Sequence, residues 1–309
     1  MSQSTIGSAS EERIAFGIGC ALVGLFGMAL MDACAKFLGG GYAVSQIILA
    51  RNGIGALAIL AYVVLAGGGL ATLRLRRPGL MVLRTAVNLG AAFLFFSGLR
   101  YLPLADAFAI AFAAPLFITA LSVPVLGEQV GIRRWAAVIA GFIGVLVVVQ
   151  PGSESFRVEA LLPLGAALSY ALAMLIGRKM TREMPTAAIM FWPSLGAVLV
   201  TAVMMPAQWQ TPTLADAGLF VFMGVIGTGG MALITQGYRH APAAVIAPFD
   251  YSVLVWGVII GWLVWRDIPA PNVWAGAAIL IASGLYILHR ETRKPKPVQP
   301  VPGPLGPTS

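Results

Sequence analysis

The sequence predicts an all-α membrane protein of ten transmembrane helices, arranged as two inverted five-helix repeats around a central cavity. Three observations predict it. The 309 residues are 59% hydrophobic and only 10% charged, with a mean hydropathy of +0.87, which leaves too little polar material to coat a soluble globule of this length. Ten apolar runs alternate with short loops carrying Gly, Pro or charge. Finally, the 38 residues 98–135 (GLRYLPLADAFAIAFAAPLFITALSVPVLGEQVGIRRW) recur in weakened form 139 positions later, at 237–274.

That single offset carries special residues onto their like. Gly98 falls on Gly237, Arg100 on Arg239, Pro103 on Pro242, Ala105 on Ala244 and Trp135 on Trp274, while Glu128 falls on the like-charged Asp267.

Residues 1–13 are polar and form a cytosolic N-terminal segment. The first apolar run, 14–37, is too long for a signal-peptide core and lacks a basic flank and a small-residue cleavage site. Further runs occupy 43–66, 80–99, 105–126 and 135–150, closing a first repeat at 14–150. The second repeat, 160–289, supplies 160–177, 187–205, 215–237, 243–265 and 273–289. Such lengths fit a hydrocarbon core about 30 Å thick, the shorter runs needing a flanking turn. The tail, 290–309, is basic and then Pro-rich (PKPVQPVPGPLGP), and is read as disordered and cytosolic.

Orientation follows from Lys and Arg. With the N-terminus cytoplasmic, fourteen fall in cytoplasmic segments and three (Arg100, Arg157, Arg266) outside, with Lys36, Arg51 and Arg84 inside spans. Both termini are therefore expected in the cytoplasm of a bacterial-type inner membrane. Five spans per half is an odd number, so the second half enters the bilayer in the opposite sense, the arrangement that places a solute site between halves near mid-membrane. The pI of about 9.9 reflects this topology; no basic run with interleaved aromatics points to nucleic acid. Cys20 and Cys34 lie 14 residues apart in one run, about 21 Å of helical rise, and cannot bond each other.

Three stretches carry a family resemblance: PLFITALSVPVLGEQVGIRRWAAVIAGFIGVLVVVQP, Arg51 early in the second run, and APFDYSVLVWGVIIGWLVWRDIPAPNVWAGAAILIASGLYILHRE. Together they resemble the EamA-type repeats of the drug/metabolite transporter superfamily, over about 14–290. The resemblance implies a ten-helix carrier of a small organic metabolite with a cavity lined by both halves. It runs most closely to the branch with bacterial riboflavin, S-adenosylmethionine and amino-acid or opine carriers. The offset takes Arg51 to the uncharged Met190, so the halves have diverged.

A charge at bilayer centre costs about 2.5–3.5 kcal/mol on insertion scales, which marks the few ionisable residues within spans. Asp32 and Lys36 stand at i,i+4 on one helix face, where they can pair. With Arg51 and Asp106 they form an outer-half cluster, read either as part of the binding region or as an ion-pair network locking helices; Arg51 and Asp106 are assigned to the structural or gating side. Asp250 has no basic residue at i±3 or i±4 and lies two residues after Pro248, which cannot donate to the carbonyl of Ala244. It is expected to bind a cationic substrate group, to carry a coupling proton, or to be satisfied by Arg or backbone amides of another helix. Tyr251, Tyr170, Trp192, Asn88 and Gln236 are added as cavity-lining candidates, each also explicable as packing. Pro115, Pro193 and Pro248 mark candidate kinks. Glycines such as Gly24 and Gly230 are expected to let helix backbones approach closely.

Other classes fit less well. An in-membrane enzyme finds no HExxH or Ser/His/Asp ordering, and both histidines, His240 and His289, sit at span ends. A sensor or assembly protein finds no sizeable extramembrane domain. The expectation is a secondary transporter of an amino acid, vitamin or nucleoside-like compound, working by alternating access. Its partners are a small-molecule substrate and the lipid bilayer, with proton coupling and a homodimer as further expectations; no cofactor, metal or nucleic acid is called for.

Overall fold

The computed structural model describes residues 3–65, 69–153, 156–181 and 183–292. In hydrocarbon a backbone amide has no water to bond, so an apolar run must satisfy its own N–H and C=O groups, and it does so as helix. The helices are α1 (Gln3–Gly39), α2 (Val44–Leu65), α3 (Pro78–Tyr101), α4 (Leu104–Ala111), α5 (Ala114–Leu126), α6 (Ile132–Val149), α7 (Leu161–Met180), α8 (Thr186–Gln208), α9 (Leu214–His240), α10 (Ala243–Ile246), α11 (Ser252–Trp265) and α12 (Pro271–Thr292). Among the described residues no strand occurs, and ten helical stretches are long and apolar enough to cross a membrane. The expectation about residues 293–309 lies outside the described residues.

Two spans are broken, and they are equivalent ones. The fourth span divides into α4 and α5 just before Pro115. The ninth divides into α10 and α11 around a 3-10 turn, Ala247–Tyr251, that contains Pro248. Pro193 lies inside α8 without interrupting it.

The repeat offset persists down to single hydrogen bonds. After α5, Gly127 adopts the left-handed conformation (φ 69°) and the Glu128 amide donates to the Ser122 carbonyl. After α11, Arg266 adopts it too (φ 60°) and the Asp267 amide donates to the Gly261 carbonyl. These are the same helix-end motif 139 residues apart. The first copy has the glycine that suits positive φ; the second tolerates an arginine.

Packing between the halves shows the inversion. Asn272 donates to the Val148 carbonyl at one end of the α6–α12 pair, and Arg133 and Ala140 line a groove with Ala282 and Tyr286 at the other. Numbers rise along one helix as they fall along the other, so these equivalent fifth and tenth spans are antiparallel. The second and seventh are too, since Ser45 at the start of α2 bonds Gln208 at the end of α8 (2.5 Å). Elsewhere α1 packs on α9, α3 on α7 and α4 on α11, so spans of one half are seated on spans of the other.

The α1–α9 contact uses glycine as expected. A Cβ on Gly24 would stand 2.6 Å from the carbonyl oxygen of Gly230, and one on Gly230 2.8 Å from that of Gly24. Only backbone fits between α1 and α9 there.

Candidate functional site

Asp32 and Lys36 share a helix face but turn to different partners. Asp32, only 8% exposed, has Arg51 of α2 as its charge neighbour. Arg51 in turn lies over the Phe96 ring, 5.5 Å from its centroid. Lys36 reaches instead across to the second repeat, 3.9 Å from Asp267. It donates to the Leu102 carbonyl and sits 5.2 Å from the Trp265 ring centroid. The Asp32–Lys36 pair that the i,i+4 spacing allows is therefore not formed: Lys36 pairs with Asp267 of the loop after α11, and Asp32 has Arg51 as its charge neighbour. Asp106 belongs with the Lys36 group, in the field of Asp267, Arg157 and Lys36, and its Oδ1 is buried without a hydrogen-bond partner. Lys36, Arg100, Arg157, Trp265 and Asp267 line a vestibule of about 550 Å³ at this end of the bundle.

The opposite end carries a counterpart to Lys36–Asp267. There Arg178, in the last turn of α7, pairs with Glu128 at 2.9 Å. Glu128 and Asp267 are equivalent across the repeat, and Lys36 and Arg178 each stand in the last turn of the first span of their halves. Each pair joins one repeat to the other. The first is more enclosed, with Lys36 only 11% exposed against 62% for Arg178. Arg77 and Glu183 (2.5 Å) join the second and sixth inter-span loops at the Arg178 end. At the vestibule end, Tyr42 donates to Asp216 (2.7 Å). That hydrogen bond, and burial after it, holds the Tyr42 phenol above its ordinary pKa.

Between these ends lies Asp250. The 3-10 turn places it where the ninth span is broken, and its Oδ2 accepts a hydrogen bond from the Tyr238 hydroxyl at 3.0 Å. Tyr170 of α7 is an electrostatic neighbour of both. Tyr170 is 46% exposed although it lies mid-span beside these groups. Sequence reasoning passed over Tyr238. No spacing within one run signals it, because its bond to Asp250 crosses from α9 to the broken start of the ninth span.

Arg84 of α3 is the second residue that reading left unassigned. Pro193 has no N–H for the carbonyl of Ile189, and Arg84 Nη1 donates to that carbonyl at 2.5 Å. Its Nε donates to the Ala173 carbonyl at 3.2 Å. A Cβ on Gly177 would come within 2.9 Å of the same Nε, so glycine makes room for the guanidinium. Asn88 follows Arg84 by one turn of α3 and is partly buried.

The remaining candidates are dispersed. Tyr251 lies beside Asp250 in sequence, but its hydroxyl abuts Gly284 of α12 and its ring packs on Phe112. Trp192 donates its indole N–H to the Leu73 carbonyl at 2.8 Å, tying α8 to the loop after α2 and not joining Tyr170. Gln236 is exposed, roughly 200° around α9 from Tyr238. On α11, Ser252 Oγ and Trp256 Nε1 are buried without partners, one turn apart. Chemically, the spans hold a lone acid bonded by a phenol, a guanidinium with spare donors, and unpartnered hydroxyl and indole groups. Among the described residues no cluster of three His, Cys, Asp or Glu could hold a metal ion.

Known proteins share this layout. The EamA-like transporter family matches residues 15–150 and 157–289. The riboflavin transporter of Rhizobium johnstonii is 32% identical over 230 residues, covering 73% of this chain and 75% of its own. The S-adenosylmethionine uptake transporter of Rickettsia bellii is 27% identical over 282 residues, 91% of this chain and 96% of its own. The pseudopaline exporter of Pseudomonas aeruginosa is 28% identical over 271 residues, 86% and 94% respectively. A solved crystal structure with 19% identity superposes at a TM-score of 0.63 over 92% of this chain and 99% of its own, a likeness of fold.

Proposed function

The chain belongs to the EamA-like transporter family, and from that premise we propose that it carries a small organic metabolite by alternating access between its two repeats. It is a multi-pass membrane protein, and relatives named as transporters favour transport over in-membrane enzyme chemistry. The observation that carries the mechanism is the pair of equivalent cross-repeat ion bridges, Lys36–Asp267 at one end and Arg178–Glu128 at the other. Either bridge seals the seam between repeats at its own face. Opening one while the other stays closed exposes a solute site beside Asp250 and Tyr170 to one side at a time. The breaks at Phe112–Ala113 and at Ala247–Tyr251 supply the bending points, since helices bend where their hydrogen-bond ladder is interrupted.

The excess of Lys and Arg at the Arg178 end supports a cytoplasmic face there, with both termini on the cytoplasmic side of a bacterial-type inner membrane. Riboflavin, S-adenosylmethionine and pseudopaline are the solutes to try first, because similar proteins are named for them. Uptake of each by proteoliposomes containing the purified protein is the test. Saturable uptake of at least one, accelerated by the same compound trapped inside, is expected. Uptake of all that only matches protein-free vesicles would contradict the reading.

A further inference from the structure

Ionisable groups buried in membrane spans are tolerated when opposite charges answer each other. Asp32 has Arg51, and Lys36 has Asp267 and Asp106. Two mid-span charges are left over. Arg84 commits two of its five N–H donors to the carbonyls of Ala173 and Ile189. Among the described residues no carboxylate lies within ion-pair distance of it. Asp250 is bonded by a neutral phenol, Tyr238, and likewise has no cation within that distance.

Their placement makes them complementary. Tyr170, Ala173 and Gly177 fall on one stripe of α7, with Arg84 bonded at Ala173 and laid against Gly177. Tyr170, two turns earlier, is the electrostatic neighbour of both Arg84 and Asp250. A positive and a negative group thus flank one half-exposed phenol, each lacking a charged partner of its own.

Resting on the carrier reading above, we infer that Arg84 and Asp250 are the two anchors of one site and that its solute is a zwitterion. The solute's carboxylate meets the spare guanidinium donors and its cationic end meets the Asp250 carboxylate, past the Tyr170 ring. Asn88, one turn beyond Arg84, stands where its amide can add a donor for the same carboxylate. Binding such a solute neutralises both charges at once, which neither a simple cation nor a flavin achieves. Specificity then comes from the penalty for leaving one buried charge unpaired.

The test is thermal stabilisation of the purified full-length protein, since a ligand of the native state raises its melting temperature by mass action. The probes are S-adenosylmethionine, the twenty amino acids, the decarboxylated amine of each, and riboflavin as a compound without a zwitterionic head. At least one zwitterion is expected to stabilise the protein, with its decarboxylated amine needing at least about tenfold higher concentration. In Arg84→Gln that gap closes; in Asp250→Asn both compounds weaken. Should Arg84→Gln fail to fold, the comparison of acid with amine in the native sequence decides alone. Amines that stabilise as well as their parent zwitterions, stabilisation by riboflavin alone, or no shift with any zwitterion overturns the inference. Riboflavin uptake in the proteoliposome assay would leave the carrier reading standing in each of those cases.

Discussion

Phe112 and Tyr251 occupy equivalent positions in the two repeats, 139 residues apart, and they touch, with ring centroids 4.9 Å apart and planes tilted by 51°. Equivalent residues of two repeats meet only where the axis relating the repeats passes between them. Each also stands at the break in its own span. The two bending points are therefore packed on each other, so motion of one repeat is felt directly by the other. A double-mutant cycle of Phe112→Ala and Tyr251→Ala, read by thermal unfolding in detergent, should give a coupling of about 0.5–1.5 kcal/mol. Strictly additive losses would mean that the rings are neighbours without mutual support.

The Gly24–Gly230 crossing makes a second prediction. A methyl at Gly24 runs into a backbone oxygen that cannot swing aside, so Gly24→Ala should cost about 1–3 kcal/mol of stability. Gly19, on the same helix, has nothing within 4 Å of its ideal Cβ position. Gly19→Ala should leave stability unchanged or slightly raised. Equal effects of the two substitutions would deny that α1 and α9 are held at backbone contact.

Asp32 and Arg51 supply the third. If they answer each other's charge, Asp32→Leu alone strands a buried guanidinium and should cost roughly 3–5 kcal/mol, whereas adding Arg51→Met should recover much of the loss. Recovery is measured as melting temperature of the purified variants. A double variant no better than Asp32→Leu would assign the two residues to separate tasks.

How far the sequence foretold this structure divides along a physical line. Spans were legible because burial in hydrocarbon demands long apolar runs, whatever surrounds them: 80–99 became Pro78–Tyr101 and 187–205 became Thr186–Gln208. The repeat was legible because helix ends are local, and the caps at Gly127 and Arg266 repeat bond for bond. Partners between helices were not. Asp32 and Lys36 stand at i,i+4, a spacing visible in one helix, yet Lys36 pairs with Asp267 and Asp32 has Arg51 as its charge neighbour, partners that no spacing records. Nor does any spacing show that the Trp192 indole N–H meets the Leu73 carbonyl across 119 residues. Arg84 was findable in principle: Pro193 leaves a carbonyl bare inside a span, and a bare carbonyl in hydrocarbon needs a donor from elsewhere.

Alternation of access at the seam between repeats is tested most directly by reagent access to a single cysteine at position 170, introduced as Tyr170→Cys in a chain lacking Cys20 and Cys34. A membrane-impermeant maleimide would be applied to either face of reconstituted vesicles. The cysteine is expected to react from both faces. Asp267→Asn should speed labelling from the vestibule side and slow it from the other, and Glu128→Gln should do the reverse. Labelling from one face only in all three backgrounds, or a rise from both faces together, would contradict a carrier whose two ends open in turn.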